Sequence, residues 1–408
     1  MANTGRILNI ARGAMAAQDA ALNVTSHNIA NVNTEGYSRQ KVIFESGNPE
    51  RTHWGMLGSG VEVNEIVRMR DRYIYTEIRS EMQGFGEWEY KEKIFSELES
   101  VLNEPSDTGL AAVMNKFWDG WAEVGNGPQS SSARANLVQV SKELVNEFQT
   151  LDSRLSQLQQ NVDTELENKL DEFNSMLEQV GDLNKKIIHT KNRGDEVNDY
   201  MDRRNVLFEN ISKMADVTIT ESKNGNSTLV LDGNILVEQN NVQRLSTKGV
   251  GNGEVVQSML IMESSSKKVD MRSGEFKGML EIRDTVVSDL KNDLDDLAAT
   301  LVTQVNAVHT KGYGKDGLSG KNFFDANTTS ATDIALAPSI LEDRGNIAAS
   351  VDGSAGNGEI ANQIYQLQNT NIMKGGSATF SDYYGAMVGE IGVQSKEAAF
   401  MQENQSMM

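Results

Sequence analysis

Four histidines, at positions 27, 53, 189 and 309, are the side chains of this 408-residue chain best suited to move a proton near neutral pH or to bind a metal. They lie far apart, and none has a second ligand at metal spacing, so each is expected to be an ordinary polar residue. Cysteine is absent, which excludes a thiol nucleophile, a thiolate metal site and a disulfide framework. The 58 Asp and Glu residues are spaced along helical stretches as solvated faces and i,i+4 partners of Lys and Arg, and no two stand out as an acid–base pair. The loop ahead of Lys321 superficially resembles a phosphate cradle. It has Lys315 where the first glycine is needed and Asn322 where a magnesium-holding Ser or Thr belongs. Asp325-Ala326-Asn327 opens like a calcium loop, but Ser330 occupies the sharp-turn glycine position and Leu336 that of the bidentate acid. The glycines of Gly55–Gly60 do not sit at a strand-to-helix turn, which leaves a dinucleotide reading weak. The expectation is a chain with no catalytic residue, cofactor or metal, working through its surfaces rather than as an enzyme.

Those surfaces are acidic. The formal charge is −20, although residues 1–45 hold four basic and three acidic side chains, a net +1. An acidic body argues against nucleic-acid binding, which needs a basic footprint. It suits a self-repelling surface that stays soluble before assembly. The first residues lack the basic and apolar regions of a cleaved secretory signal, and no stretch approaches the roughly 18 apolar residues of a membrane span. These features fit a soluble cytosolic protein, or one exported intact.

The elements that could carry such a surface are mostly helical. Proline is missing between positions 128 and 338, which permits very long helices. Apolar residues recur at helical spacing from Ile74 to Leu102, from Leu110 to Trp121, and from Leu137 to Leu183. The last run predicts a helix over 134–190, roughly 80 Å long, too long to wrap a compact core. A rod is therefore expected. Residues 41–44 and 61–63 read as extended segments. From 216 to 282 the texture changes to short β-type runs (217–220, 227–231, 235–237, 255–261) separated by Asn-Gly turns. Helical spacing resumes at 285–310. A Gly-, Lys- and Asp-rich loop and a low-complexity span lead to 358, and helical spacing returns from Glu359 and from Phe380. The expected fold is mainly α: an elongated, coiled-coil-like helical rod with an inserted small antiparallel β domain. Its expected divisions are 1–36 (seam helix), 37–215 (rod, first part), 216–282 (β insertion) and 283–408 (rod, second part, with loop 311–358).

The first forty residues organise the rest. Leu8, Met15, Leu22 and Ile29 fall seven apart, with Ala11, Ala14 and Ala21 at neighbouring positions, an apolar seam at the coiled-coil period. No charged residue occurs between Asp19 and Glu35, and the run closes in an Asn- and Gly-rich corner, Asn28 to Tyr37. An amphipathic helix is most often a core helix. The terminal position, the alanine content and the supply of other long helices favour a helix that seeks a partner. A membrane-surface helix is disfavoured because the polar face lacks a Lys and Arg excess. The candidate assembly interface is Leu8, Ala11, Met15, Leu22 and Ile29 on the seam, with Asn28, Asn31, Asn33, Gly36 and Tyr37 at the corner.

The stretch Asn28-Ile29-Ala30-Asn31-Val32-Asn33-Thr34-Glu35-Gly36-Tyr37-Ser38-Arg39 resembles the signature shared by bacterial flagellar axial proteins of rod, hook and hook–filament junction. Ala20-Ala21-Leu22, Asp202-Arg203-Arg204, Val305 to Tyr313 with Phe323-Phe324, and Leu367-Gln368-Asn369 are similar, in order, to the hook-associated protein 1 family. The resemblance implies a structural protein exported unfolded through the flagellar type III apparatus without a cleaved signal, and located extracellularly in the flagellum. The partners it implies are further copies of the chain in a ring, the hook protein, the second hook-associated junction protein and an export chaperone, with neither nucleic acid nor membrane. Terminal helices mobile in the monomer would order on assembly, a neighbour's surface offsetting their entropy. The resemblance also implies a further C-terminal helix pairing with the first one, and the sequence stops at Met408 before such a segment, so that partner is expected to be missing. Two readings of other classes are an enzyme carried on the β insertion, such as a peptidoglycan hydrolase, and a cytosolic coiled-coil scaffold.

Overall fold

The computed structural model describes residues 2–53, 55–222, 224–250 and 257–407. Contacts divide the chain into two compact units, one formed by residues 1–87 and 167–277, the other by 88–166 and 278–407. The chain order is α1 (Ala2–Ala30), β1 (Gln40–Ser46), β2 (Glu50–Thr52), β3 (Gly55–Leu57), β4 (Val61–Arg68), α2 (Arg72–Leu102), α3 (Leu110–Asn126), α4 (Ser131–Asn192) and α5 (Asn198–Met214). It continues with β5 (Thr218–Glu221), β6 (Ser227–Leu231), β7 (Asn234–Glu238), β8 (Asn241–Val242), β9 (Leu245–Val250), β10 (Gln257–Met262), α6 (Glu275–Glu281) and α7 (Val287–His309). The last elements are α8 (Pro338–Glu342), α9 (Glu359–Gln366), α10 (Met373–Gly376) and α11 (Phe380–Met407). The fold is mainly helical with small antiparallel sheets. α4 runs 62 residues without interruption, as its proline-free apolar stripe demands. The expected strand at 255–261 falls partly outside the described residues, and its remainder belongs to β10.

In the first unit β1 and β4 form a two-stranded antiparallel ribbon, Gln40 opposite Arg68, with a bulge between Ile43 and Phe44. The inserted strands make a four-stranded sheet in the order β5-β6-β7-β8, and β9 pairs with β10. Leu229, Leu231, Leu236 and Val237 of the sheet are fully buried, as are Phe173, Leu177, Val180 and Ile187 of α4. Helical structure returns at Glu275, inside the stretch expected to be β. There Gly274 adopts φ +93° against the backbone of Ala215, whose nitrogen would lie 2.7 Å from an added Cβ. That close approach admits only glycine and sets where α6 begins.

The second unit packs α3, the first half of α4, α7, α9 and α11 around aromatic rings. Phe117, Trp121, Phe323, Phe324 and Phe380 are buried, and the Trp121 and Phe323 rings lie 4.8 Å apart. Between α6 and α7 the helix widens into a π turn, Ile282–Val286. The Gln159 side chain donates to the Arg283 carbonyl at 3.1 Å, and the buried Arg283 guanidinium binds Asp163 and Asp284. These side-chain partners meet the polar groups that such a turn exposes. The span 326–358 looked like low complexity, yet Ala331, Ile334, Ile340, Ile347, Ala348 and Ala349 are buried. Backbone groups there are tied by side chains in place of a repeating pattern. The Asp333 carboxylate accepts from the amides of Thr329 and Ser330, and Arg134 donates to the Ile347 carbonyl at 2.6 Å.

Candidate assembly interface

α1 has two faces with different fates. Ile10, Gly13, Ala14, Ala17, Ala21 and Val24 recur every three or four residues and turn inward. They are small because the helix lies close to the β1–β4 ribbon: Ala17 is only 2% exposed, and a Cβ on Gly13 would sit 3.5 Å from the Val61 carbonyl. The predicted seam occupies the other face. Leu8, Met15, Leu22 and Ile29 are 69, 64, 64 and 68% exposed, and Ala11 is exposed beside them. Of the neighbouring alanines, Ala14 and Ala21 turn to the packed side. Large apolar side chains at heptad spacing, fully presented to solvent, form an unpartnered coiled-coil stripe. α11 carries a comparable one: Val393, Phe400 and Met407 are exposed and also seven residues apart.

The corner is built by side chains standing in for backbone. Asn28 donates from Nδ2 to the Gln40 carbonyl and accepts the Gln40 amide on Oδ1, both at 2.9 Å, pairing with β1 as a strand would. The Tyr37 hydroxyl donates to the same Oδ1 at 2.8 Å, and its ring meets the His27 ring edge-on. Burial, then Asp199 and Asp202, raise the Tyr37 pKa, so the phenol stays protonated. Asn31 donates to the His27 carbonyl, Asn33 is exposed, and Gly36 adopts φ +73° where a Cβ would collide with Val206 at 2.1 Å. Asp202 fastens the corner to α5, accepting from the Ser38 amide at 3.0 Å and from Arg68 at 2.8 Å. The structure thus brings Asn28, Gly36 and Tyr37 together as an internal joint and leaves the seam and Asn33 facing solvent. Thr25, Ile29, Val32, Tyr37, Lys41 and Met69 line a groove of about 760 Å³ at this joint.

Three further asparagines share the role of Asn28; Asn306 belongs to the Val305–Tyr313 motif, whereas Asn174 and Asn184 were not singled out from the sequence. Asn174 pairs with both backbone groups of Leu245. Asn184 donates to the carbonyls of Ser227 and Gln239 and accepts from Ser227 and Arg204. Asn306 accepts the amides of Phe323 and Phe324 and donates to the Phe324 carbonyl. A signal existed for Asn184, a polar residue four positions after Val180 and three before Ile187 on a buried stripe. Arg204 is fully buried, bound to Asn184, the Gly225 carbonyl and Glu221, and burial lowers its pKa to about 10.

The histidines have structural surroundings. His309 donates from Nδ1 to the Lys321 carbonyl at 2.7 Å and accepts the Ala348 amide on Nε2 at 2.8 Å. Both bonds need the neutral ring, and burial holds its pKa down at about 4. His27 contacts Tyr37, and His189 is exposed near the end of α4. Lys321 reaches Asp316 and Asn346, and Asp325 accepts from Asn327. Among the described residues no group of three or more His, Asp or Glu could hold a metal, and no helix is long and apolar enough to cross a membrane.

Residues 95–324, more than half of the chain, match the model of the flagellar hook-associated protein FlgK helical domain, and residues 8–37 match that of the flagella basal body rod protein. Flagellar hook-associated protein 1 of Bacillus subtilis is 31% identical over 448 aligned residues, covering 99% of this chain and 88% of that one. Its namesake from Salmonella typhimurium is 26% identical over 78% of this chain and 59% of its own length. The solved flagellar hook junction protein FlgK from Burkholderia pseudomallei superposes with a TM-score of 0.72 at 13% identity, covering 81% of this chain and 97% of that one, and so shares the fold. By its identity with the Bacillus subtilis protein and the coverage of both chains, and by the model match over more than half of its length, this chain is a member of the flagellar hook-associated protein 1 family.

Proposed function

We propose that this chain is a structural link between flagellar hook and filament, assembling with further copies of itself, with the hook protein and with the second hook-associated protein. The observation that carries the reading is the exposed stripe of α1. Burying a Leu- or Met-sized side chain is worth about 1.5–3 kcal/mol, and four of them face water in the monomer. Packed against helices of neighbouring subunits, possessing a similar stripe on α11, they supply an adhesive that needs no catalysis. The joint of Asn28, Gly36 and Tyr37 holds α1 at a set angle on the ribbon, so that the stripe is presented for that packing. The acidic charge keeps unassembled copies apart, and export through the flagellar type III apparatus, aided by a chaperone, places the protein outside the cell.

The reading is tested in a strain lacking its own copy, complemented with this chain. Leu22→Asp combined with Ile29→Asp is expected to leave a folded, exported protein and cells without attached filaments. Normal filament growth in that double variant would overturn it.

A further inference from the structure

Within the first unit, β4, the start of α2, α5 and β5 enclose a cavity of about 590 Å³. For a chain carrying −20, its wall is rich in cations, five with Lys191, set against the acids Glu65, Asp195, Glu196 and Glu221. Arg68, Arg70, Arg72 and Arg79 line it together with Glu221 and Gly225, and the buried Arg204 is bonded to those last two. Three carboxylates serve these guanidiniums. Arg68 pairs with Asp202 at 2.8 Å, Arg70 with Glu209 at 3.2 Å and Arg204 with Glu221 at 3.0 Å. Arg79 spends its donors on the Tyr75 carbonyl and the Thr76 hydroxyl. Neither it nor the exposed Arg72 makes an ion pair among the described residues. The other acids of the rim are engaged elsewhere or face solvent: Asp195 pairs with Arg193, Glu196 accepts from the Asn198 side-chain Nδ2, and Glu65 is exposed.

Two further observations have the same sign. The donors Arg204 Nε and Asn205 Nδ2 are buried without an acceptor, and Asn205, 4% exposed, lines the cavity. Orphaned buried donors are costly, so each in a native fold calls for a partner. Burial, the largest cause, also holds Arg70, Arg79 and Arg204 below the ordinary arginine value, Arg68 pushes Arg70 and Arg204 further the same way, and Glu209 and Glu221 offset only part of the shift. What the cavity lacks is an anion with acceptor oxygens.

We propose that this cavity is a carboxylate-binding site, filled in the assembled flagellum by an acidic side chain of a second copy of this chain. The assignment of the occupant rests on the self-assembly proposed above. Guanidinium forks suit a carboxylate in bidentate geometry, and the chain offers 58 Asp and Glu residues. Tyr73 and Ile74, next to Arg72 in the chain, are exposed, Tyr73 at 74%. Aromatic and arginine side chains together are the usual anchors of a protein interface. Inserting an acid here also relieves the repulsion between two acidic copies.

The site is tested first with citrate as probe on the full chain, titrated against sodium chloride at matched ionic strength and followed by thermal melting. A saturable rise in Tm is expected, with the half-saturating citrate concentration shifted at least tenfold in the Arg72→Gln/Arg79→Gln double variant. Arg79→Lys, which keeps charge without the fork, should fall between. If the double variant does not fold, Arg72→Gln at an exposed position carries the comparison. No saturable response, or an equal one in parent and variant, would overturn the site. The occupant is tested by flagellar incorporation of the Arg72→Gln/Arg79→Gln or Arg72→Gln variant, expected to fall severalfold. Full incorporation alongside weakened citrate binding would overturn the second-copy occupant. A Leu22→Asp/Ile29→Asp variant that assembles normally would instead sink the assembly reading, and the citrate result is independent of that outcome.

Discussion

Replacing Asn184 with alanine tests whether helix-borne amides hold the inserted sheet in place. Asn184 is completely buried. Its Nδ2 donates to the carbonyls of Ser227 at 3.0 Å and Gln239 at 2.9 Å, and its Oδ1 accepts from the Ser227 hydroxyl and from Arg204, both at 2.7 Å. Truncation takes a partner from two carbonyls and from the hydroxyl and backbone amide of Ser227, the last a longer bond of 3.3 Å, while Arg204 keeps Gly225 and Glu221. At about 1 kcal/mol or somewhat more for each of these groups, the loss is roughly 3–5 kcal/mol. That is a large part of the ~5–15 kcal/mol typical of a domain. Asn184→Asp should do comparable damage despite its matching shape, because a carboxylate cannot donate to those carbonyls. The assay is urea unfolding combined with amide hydrogen exchange: protection across β5 to β8 should collapse to that of local opening, whereas the exposed Lys185→Ala control should stay within about 0.5 kcal/mol of the parent. A loss below about 1 kcal/mol for Asn184→Ala, with the sheet still protected, would refute the reasoning.

Two further outcomes follow from local geometry. His309 has a folded pKa of about 4 against an unfolded value of 6.5, so between those limits the unfolded chain binds the proton and the folded one does not. Its contribution is complete above pH 6.5 and is lost as pH falls toward 4, roughly 3 kcal/mol in all. Urea titrations of parent and His309→Phe at pH 7 and pH 4.5 should show a smaller pH dependence in the variant, and equal dependences would count against it. Gly36→Ala forces a Cβ onto Val206 at φ +73° and should cost about 1–3 kcal/mol, read as faster exchange of the Ser38 and Gln40 amides. Unchanged exchange would show that the corner tolerates the side chain.

The sequence was most legible where burial has a period. The stripes of α3, α4 and α7 and the end of the α2 stripe (Phe95, Leu98, Leu102) are buried where spacing placed them, Ile74 and Ile78 at the start of α2 are exposed, and the α1 seam, at seven-residue intervals, is left exposed while the small residues between take up the ribbon. What periodicity could not show is pairing between a single amide and a distant strand. Asn174 meets Leu245 and Asn184 meets Ser227 across 71 and 43 residues, and neither helix pattern nor turn chemistry marks the partner. The corner illustrates the same limit. Its Asn and Gly content signalled a special turn, but that Asn28 and Tyr37 serve an internal joint depends on Asp202, far along the chain. The order of 326–358 was hidden for a related reason: small side chains and single carboxylates such as Asp333 fix that span without any repeat. The cavity was hidden too, since its arginines come from separate segments of an acidic chain.

The central claim is that the α1 stripe is covered by neighbours in the flagellum. The absence of cysteine allows a single reporter, Leu22→Cys, with Ser265→Cys on an exposed turn as the reference. Maleimide labelling of the monomer should modify both at similar rates. In assembled flagella Ser265→Cys should still react, and Leu22→Cys should be protected by at least tenfold. Equal labelling of Leu22→Cys in monomer and assembled flagella would contradict the account.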